Sequence, residues 1–436
     1  MNNPLDAWTA RCIGLGDSPL TRAALDAYQL RALRESVAWA KRQSPFYRRH
    51  LAGVDESALR TLADLRRLPF TTADDLRRND PPLLGVSQSA VSHVITLNAL
   101  ETSATSGPAK RLFFTEEEIG ATLDFFAQGM RLPARAGDRV LILFPGNRAG
   151  SVGELLARAL ERLGATPIAH GWPADIGAAT DVLRRERPDV VAGTPVALLA
   201  LARHEALTRA TQGGSMHVRS VLVSADHAAA SLRAALSALW SCEVFEHYGM
   251  TEMGLGGGVD CAAHTAYHLR EGELLVEVVD PFSGAAVGDG ELGEVVFSTL
   301  RRRALPLVRY RTGDLSRLLP GGCACATPLR RLERITRRVD AAVVLPGSVD
   351  VTIAELDEAL FALPGVADFS ATLQRAHDAM PATLAVEISA AASTLDTGTL
   401  RVQAGEALLA VPQLATANRA GALGLRVSVS PHVGLL

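Results

Sequence analysis

The chain has 436 residues, 48% of them hydrophobic, which allows a large buried core and, by length, two to four domains or subdomains. The formal net charge is -3 and like charges never cluster into a long run, which argues against a nucleic-acid or polyanion partner. The start of the chain lacks a basic stretch followed by an apolar one, and no segment reaches the roughly 18 apolar residues of a membrane span, so neither secretion nor membrane insertion is expected. The cysteines, Cys12, Cys242, Cys261, Cys323 and Cys325, are too few for a disulfide scaffold and place the protein in a reducing cytoplasm.

Residues 20–66 read as helical, with apolar positions at helical spacing through LTRAALDAYQLRALRESVAWAKRQ. A break at SPFYRRHLAG follows, and then a helix start at Thr71-Thr72-Ala73-Asp74. From about residue 90 the texture becomes α/β. VSHVITL reads as a strand and ETSATSGPAK as a loop. FTEEEIGATLDFFAQGMRL is a helix capped by Thr115. Strands DRVLILF, TPIAH, DVVAGTP, VRSVLVSAD and CEVFEHYG then alternate with helices VGELLARALERLG, IGAATDVLRRERP, VALLALARHEAL and LRAALSAL. That alternation predicts a parallel sheet wound with helices, whose ligands sit beyond the strand carboxyl ends. ETSATSGPAK, residues 193–195, Ser224-Ala225-Asp226 and HYGMTE all follow predicted strands. From about 267 the pattern turns to β, and beyond Arg338 the remaining chain reads as a small α+β region.

Among the basic residues only Lys41 and Lys110 are lysines. Lys110 ends a run of small and hydroxyl residues, Thr102-Ser103-Ala104-Thr105-Ser106-Gly107-Pro108-Ala109-Lys110. Such a run brings backbone N–H groups close to phosphate oxygens, and a lysine adds a point charge. In isolation it is more often a solvated loop, and it is not a Walker A motif. The same caution applies to the Tyr-Gly-Met-Thr-Glu turn at 248–252 and the Thr-Gly-Asp turn at 312–314.

Taken together and in order, these stretches resemble the adenylate-forming, AMP-binding superfamily. Residues 102–110 resemble its phosphate loop, departing at Ala104 and Ala109, where glycine and proline are usual. Phe245 to Glu252 resembles its Y-G-x-T-E motif, and Tyr310-Arg311-Thr312-Gly313-Asp314 its Y-R-T-G-D. Arg338-Val339-Asp340 resembles its hinge. SPFYRRHL, LRRLPFTTADDLR and DVVAGTPVALL resemble the phenylacetate–coenzyme A ligase branch. The resemblance implies an α/β fold: a large N-terminal adenylate-forming domain of parallel sheets wound with helices plus a β subdomain, and a small α+β C-terminal domain. The boundaries expected are 1–337 (helical start 1–90, α/β core 91–260, β-rich part 261–337) and a mobile 338–436 pivoting at Asp340.

The resemblance also implies roles. Ser103, Thr105, Ser106 and Gly107 cradle phosphate. Ser224, Ala225, Asp226, His247, Tyr248, Gly249 and Met250 line the nucleotide site, with Tyr248 on adenine. Thr251 contacts the α-phosphate, Glu252 holds magnesium, Asp314 accepts from the ribose hydroxyls and Arg338 reaches the nucleotide. Thr251, Glu252 and Lys110 are the candidate catalytic residues. ATP and coenzyme A are the implied ligands, with a small carboxylic acid as substrate, by family default aryl or arylacetic. Phe125, Phe126, His170 and Trp172 are candidates for the acyl pocket. No nucleic acid or membrane partner is implied, and a homodimer stays open.

Two further features stand out. Cys261, Cys323 and Cys325 with His268 could complete a tetrahedral structural zinc site, with His264 as the rival imidazole and free loop thiols as the alternative. Superfamily members carry a lysine near the C-terminus that serves adenylation, and none follows Lys110 in this sequence. The expected function is ATP-dependent activation of an acid to its acyl-adenylate, with transfer to coenzyme A. The alternative is a catalytically impaired protein that binds nucleotide or acyl-adenylate. An NAD-dependent oxidoreductase is disfavoured, because no G-x-G-x-x-G follows an early strand.

Overall fold

The computed structural model describes residues 3–16, 18–78, 83–97, 110–214, 216–339, 343–345, 349–374, 381–430 and 435. They group into two compact units, one of Met1–Leu132, Gly146–Leu163 and Glu246–Ile335, the other of Pro133–Pro145, Gly164–Phe245 and Thr336–Leu436. Among the described residues no helix is long and apolar enough to cross a membrane.

The first unit opens with helices Pro4–Cys12, Arg22–Gln43 and Pro45–His50, started by the side chains of Asn3, Thr21 and Ser44, which accept from first-turn N–H groups. The long helix buries Leu25, Gln29, Ala32, Leu33, Ser36, Val37 and Ala40, a stripe at helical spacing. Its buried polar side chains dock by hydrogen bonds: Gln29 Nε2 donates to the carbonyl of Glu271 at 3.0 Å, and Ser36 Oγ to that of Thr299 at 2.8 Å. The surface that receives it is an antiparallel meander of Leu274–Val279, Gly293–Thr299 and Tyr310–Ser316.

Strand His93–Leu97 pairs antiparallel with Lys110–Phe114, so the segment after the small-residue run is a strand rather than a direct lead into a helix. Leu112, Phe113 and Phe114 are buried, whereas Arg111 faces out. Thr115 and Glu118 then form a reciprocal capping box for helix Glu116–Met130, which buries Ile119, Leu123, Phe126 and Met130 on one face. Helix Val152–Leu163 packs along it. Short antiparallel strands Gly258–Val259, Tyr267–Leu269, Arg331–Leu332 and Leu318–Leu319 complete the unit.

The second unit contains four parallel strands in the order Ser220–Val223, Val190–Gly193, Arg139–Ile142, Thr166–Ala169. The central ones are buried along their length, which is why they read as short apolar runs rather than alternating ones. Helices Ile176–Glu186, Pro195–Gln212 and Ala230–Trp240 connect or follow them. The chain's last part adds helix Ile353–Leu360, a three-stranded sheet of Val366–Gln374, Ala382–Ala390 and Leu423–Ser430, and helices Thr397–Leu409 and Pro412–Arg419. One buried apolar cluster runs from Leu141, Val191 and Leu198 through to Leu360, Val366 and Ile388.

Candidate active site

Strand Glu243–Tyr248 ends on the tyrosine motif, and His247 and Tyr248 pair with Val259 and Gly258. The Tyr248 hydroxyl donates to Asp314 Oδ2 at 2.8 Å. The expected adenine platform and the expected ribose acceptor are therefore in direct contact. Burial, and next the Asp314 charge, push the Tyr248 phenol far above its ordinary value, so it stays a donor at any working pH. Its ring stacks on Tyr267 with centroids 5.7 Å apart. The glycine run at 254–258 belongs to this packing: a Cβ on Gly256 would lie 2.4 Å from Phe125 Cε1. Gly249 is forced by the same fold-back, since a Cβ there would lie 2.9 Å from Gly256 Cα. The His247 imidazole sits against the rings of Phe125 and Phe126, with centroids 6.1 and 5.9 Å away. Burial and then the Arg270 charge push it down to about 4, so it is neutral at pH 7.

Thr251-Glu252-Met253 forms a single 3₁₀ turn beyond the strand. Glu252 is only 2% exposed and pairs with Lys110. The Tyr310 hydroxyl also donates to Glu252 Oε1 at 3.2 Å. Both donors converge on Oε1, and among the described residues no hydrogen bond reaches Oε2, a hard oxygen of the kind that suits magnesium. Lys110 and Tyr310 thus bring the ends of two motifs onto the middle one. The part played by Tyr310 was not anticipated, although it opens the Tyr-Arg-Thr-Gly-Asp stretch.

Ser103, Thr105, Ser106 and Gly107 lie outside the described residues, as do Ala104, Ala109 and Asp340. In the second unit, Ser224, Ala225 and Asp226 directly follow the strand Ser220–Val223, and Ala225 takes φ +74°. Asp226 is exposed, and so is Arg338, on the two-residue strand Arg337–Arg338. Trp172 is 46% exposed, whereas Phe125 and Phe126 are buried.

Cys261, His268, Cys323 and Cys325 converge, their ligand atoms all lying within 4.8 Å of one another. Cys261 Sγ is 3.7 Å from Cys323 Sγ, and Cys325 Sγ is 3.4 Å from His268 Nε2. A tetrahedral zinc ion with bonds of about 2.3 Å to sulfur and 2.0 Å to nitrogen would hold its ligands roughly 3.5–3.8 Å apart. The spacing fits. Strand pairing produces it: Val259 is opposite His268, and His268 is opposite Arg331, at the foot of the Cys323–Cys325 loop. Burial pushes the Cys261 thiol up to about 12 and the His268 imidazole down to about 4. His264 turns away, its Nδ1 3.0 Å from Asp260 Oδ2, so His268 is the imidazole of the cluster. The same Asp260 joins a buried ionic network in which Arg334 also binds Glu246, two residues before Tyr248.

Residues 96–300 match the family model for AMP-binding enzymes. The chain is 30% identical to the phenylacetate–coenzyme A ligase of Pseudomonas putida, over 89% of this chain and 88% of that one. It is 30% identical to the corresponding ligase of Escherichia coli K12, over 78% and 77%. The chain belongs to the phenylacetate–coenzyme A ligase family. Among solved structures, 2-hydroxyisobutyryl-CoA ligase in its postadenylation state shares the fold with a TM-score of 0.76, at 22% identity over 94% of this chain and 87% of that one. An anthranilate CoA ligase in complex with anthranoyl-AMP gives a TM-score of 0.54, at 16% identity over 81% and 68%. The mixed α/β architecture expected of this ligase family is the one observed.

Proposed function

We propose that the chain activates a carboxylic acid with ATP, forming an acyl-adenylate and pyrophosphate, and then passes the acyl group to coenzyme A with release of AMP. An aryl or arylacetic acid is the substrate class. The observation that carries the reading is the convergence of three motifs in one unit: Tyr248 on Asp314, and Lys110 and Tyr310 on Glu252.

Each residue has a physical reason for its role. Tyr248 offers a flat ring to adenine and holds Asp314 in place. Asp314 offers carboxylate oxygens that can each accept more than one hydrogen bond, which suits the ribose hydroxyls. Lys110 supplies positive charge at the exit of the phosphate loop, and Thr251 a hydroxyl to the α-phosphate. Glu252 would hold magnesium, which neutralises phosphate charge as pyrophosphate leaves. In the first step a carboxylate oxygen forms a bond to the α-phosphorus and the bond to pyrophosphate breaks. In the second the thiolate of coenzyme A attacks the acyl carbonyl and AMP departs. The Cys261, His268, Cys323 and Cys325 cluster is a structural zinc site.

Incubation with ATP, magnesium, coenzyme A and a panel of aryl and arylacetic acids, read by mass spectrometry, tests the proposal. Acyl-coenzyme A and AMP in equal amounts support it. Retained ATP binding without product from any acid favours a binding protein instead, the reading motivated by the lack of any lysine after Lys110.

A further inference from the structure

Arg302 is 8% exposed; its guanidinium contacts a ring and two main-chain carbonyls, and the charges of Glu118, Glu252 and Glu273 act on it from further off. Among the described residues no carboxylate pairs with it. Its guanidinium lies 4.2 Å from the Phe114 ring centroid. One Nη donates to the carbonyl of Glu252 at 2.9 Å, the other to the carbonyl of Phe113 at 2.9 Å. Burying a charged guanidinium without a directly paired carboxylate is expensive, and an apolar side chain of similar volume would fill the space more cheaply. Desolvation accordingly holds its pKa below the ordinary arginine value.

What the arginine provides is a rigid two-pronged link between two segments far apart in sequence. Phe113 is on the strand that begins at Lys110. Glu252 is the residue that Lys110 pairs with. The guanidinium therefore grips the main chain beneath both members of the ion pair, on the strand of the lysine and at the glutamate itself. A lysine could not do this, because its ammonium is a point donor rather than a planar fork.

We propose that Arg302 is a positioning residue for metal-bound nucleotide. It fixes the Lys110 strand against Glu252, so that Glu252 Oε2 and the Lys110 ammonium meet the magnesium and the phosphates in register. This rests on the nucleotide reading above and extends it to a residue that touches neither ligand.

Calorimetric titration in the absence of acid, and so without turnover, tests it. Mg·ATP and metal-free AMP are each titrated into the wild type, R302M and E252Q. R302M is expected to weaken Mg·ATP binding at least tenfold and to leave AMP within about twofold, because Tyr248 and Asp314 are untouched. Arg302 also lines a cleft of about 670 Å³. In R302A, which opens the space that methionine fills, a low, non-denaturing concentration of guanidinium should restore most of the lost Mg·ATP affinity, and methylammonium should not. Equal loss for both nucleotides, or no loss for either, overturns the proposal. E252Q separates the two levels. If it weakens Mg·ATP while R302M does not, the positioning role alone falls. If E252Q leaves Mg·ATP affinity unchanged, the assignment of Glu252 falls and the role of Arg302 with it. Should R302M not fold, R302K is expected to show the same split between nucleotides at smaller size, and an even loss contradicts it.

Discussion

Lys110 and Glu252, 142 positions apart in the sequence, form an ion pair in which the glutamate is almost wholly buried and the lysine one-fifth exposed. One of only two lysines in the chain is therefore committed to a single internal carboxylate. Removing a partner from such a pair leaves a buried charge uncompensated. K110M should destabilise the fold by about 3 kcal/mol, and the double variant K110M/E252Q should recover a good part of that. Urea unfolding of K110M, E252Q and the double variant checks this. If the double variant is as unstable as the sum of the single ones, the pair carries no coupling.

The Tyr248–Asp314 hydrogen bond separates two roles of one side chain. Y248F keeps the ring and loses the donor. It should cost about 1–2 kcal/mol of stability, because a buried carboxylate loses one hydrogen-bond donor, and leave most of the ATP affinity intact. Y248A should reduce ATP affinity at least tenfold. Equal affinities in the wild type and Y248A would remove the adenine assignment.

The proposed zinc site at Cys261, His268, Cys323 and Cys325 predicts a stoichiometry. Protein purified without chelator should contain about one zinc per chain, measured by inductively coupled plasma mass spectrometry. C323S should lower both the zinc content and the melting temperature, since a structural ion binds only the folded state. H264A should keep its zinc, and loss there would contradict the choice of His268.

Asp357, in the second unit, predicts a pH dependence. Burial first, then the charges of Asp226, Glu358 and Asp368, push its carboxyl up to about 7. The unfolded chain releases this proton near pH 4, whereas the folded one keeps it to about 7. Stability attributable to this group therefore falls as pH rises from about 4 to 7 and is level above that. The full shift corresponds to on the order of 4 kcal/mol. D357N should unfold at higher denaturant concentration than the wild type at pH 8, and the difference should shrink towards pH 4. A difference independent of pH would show that Asp357 titrates normally.

What the sequence disclosed, and what it hid, follows from the range of each signal. Local patterns were legible. The capping box at Thr115 and Glu118, the apolar runs of the parallel strands and each single motif lie within a few consecutive residues. The resemblance named Tyr248, Asp314, Glu252 and Lys110, but not that they meet in two pairs, because pairing depends on how distant segments pack. The strand Lys110–Phe114 was missed because the small-residue run before it reads as loop and the capped helix after it is so strong. Arg302 carries no sequence signal at all. It is one arginine in Arg301-Arg302-Arg303, and only burial distinguishes it. The preference for His268 over His264 comes from the resemblance, and the pairing of Val259 with His268 across two strands supplies its geometry.

The central claim is that this pocket makes acyl-adenylates. Acid-dependent exchange of labelled pyrophosphate into ATP measures that step alone, without coenzyme A. The account predicts exchange that requires magnesium and an aryl or arylacetic acid, and that falls at least a hundredfold in E252Q. Tight ATP binding with no exchange for any acid, or exchange undiminished in E252Q, would contradict it.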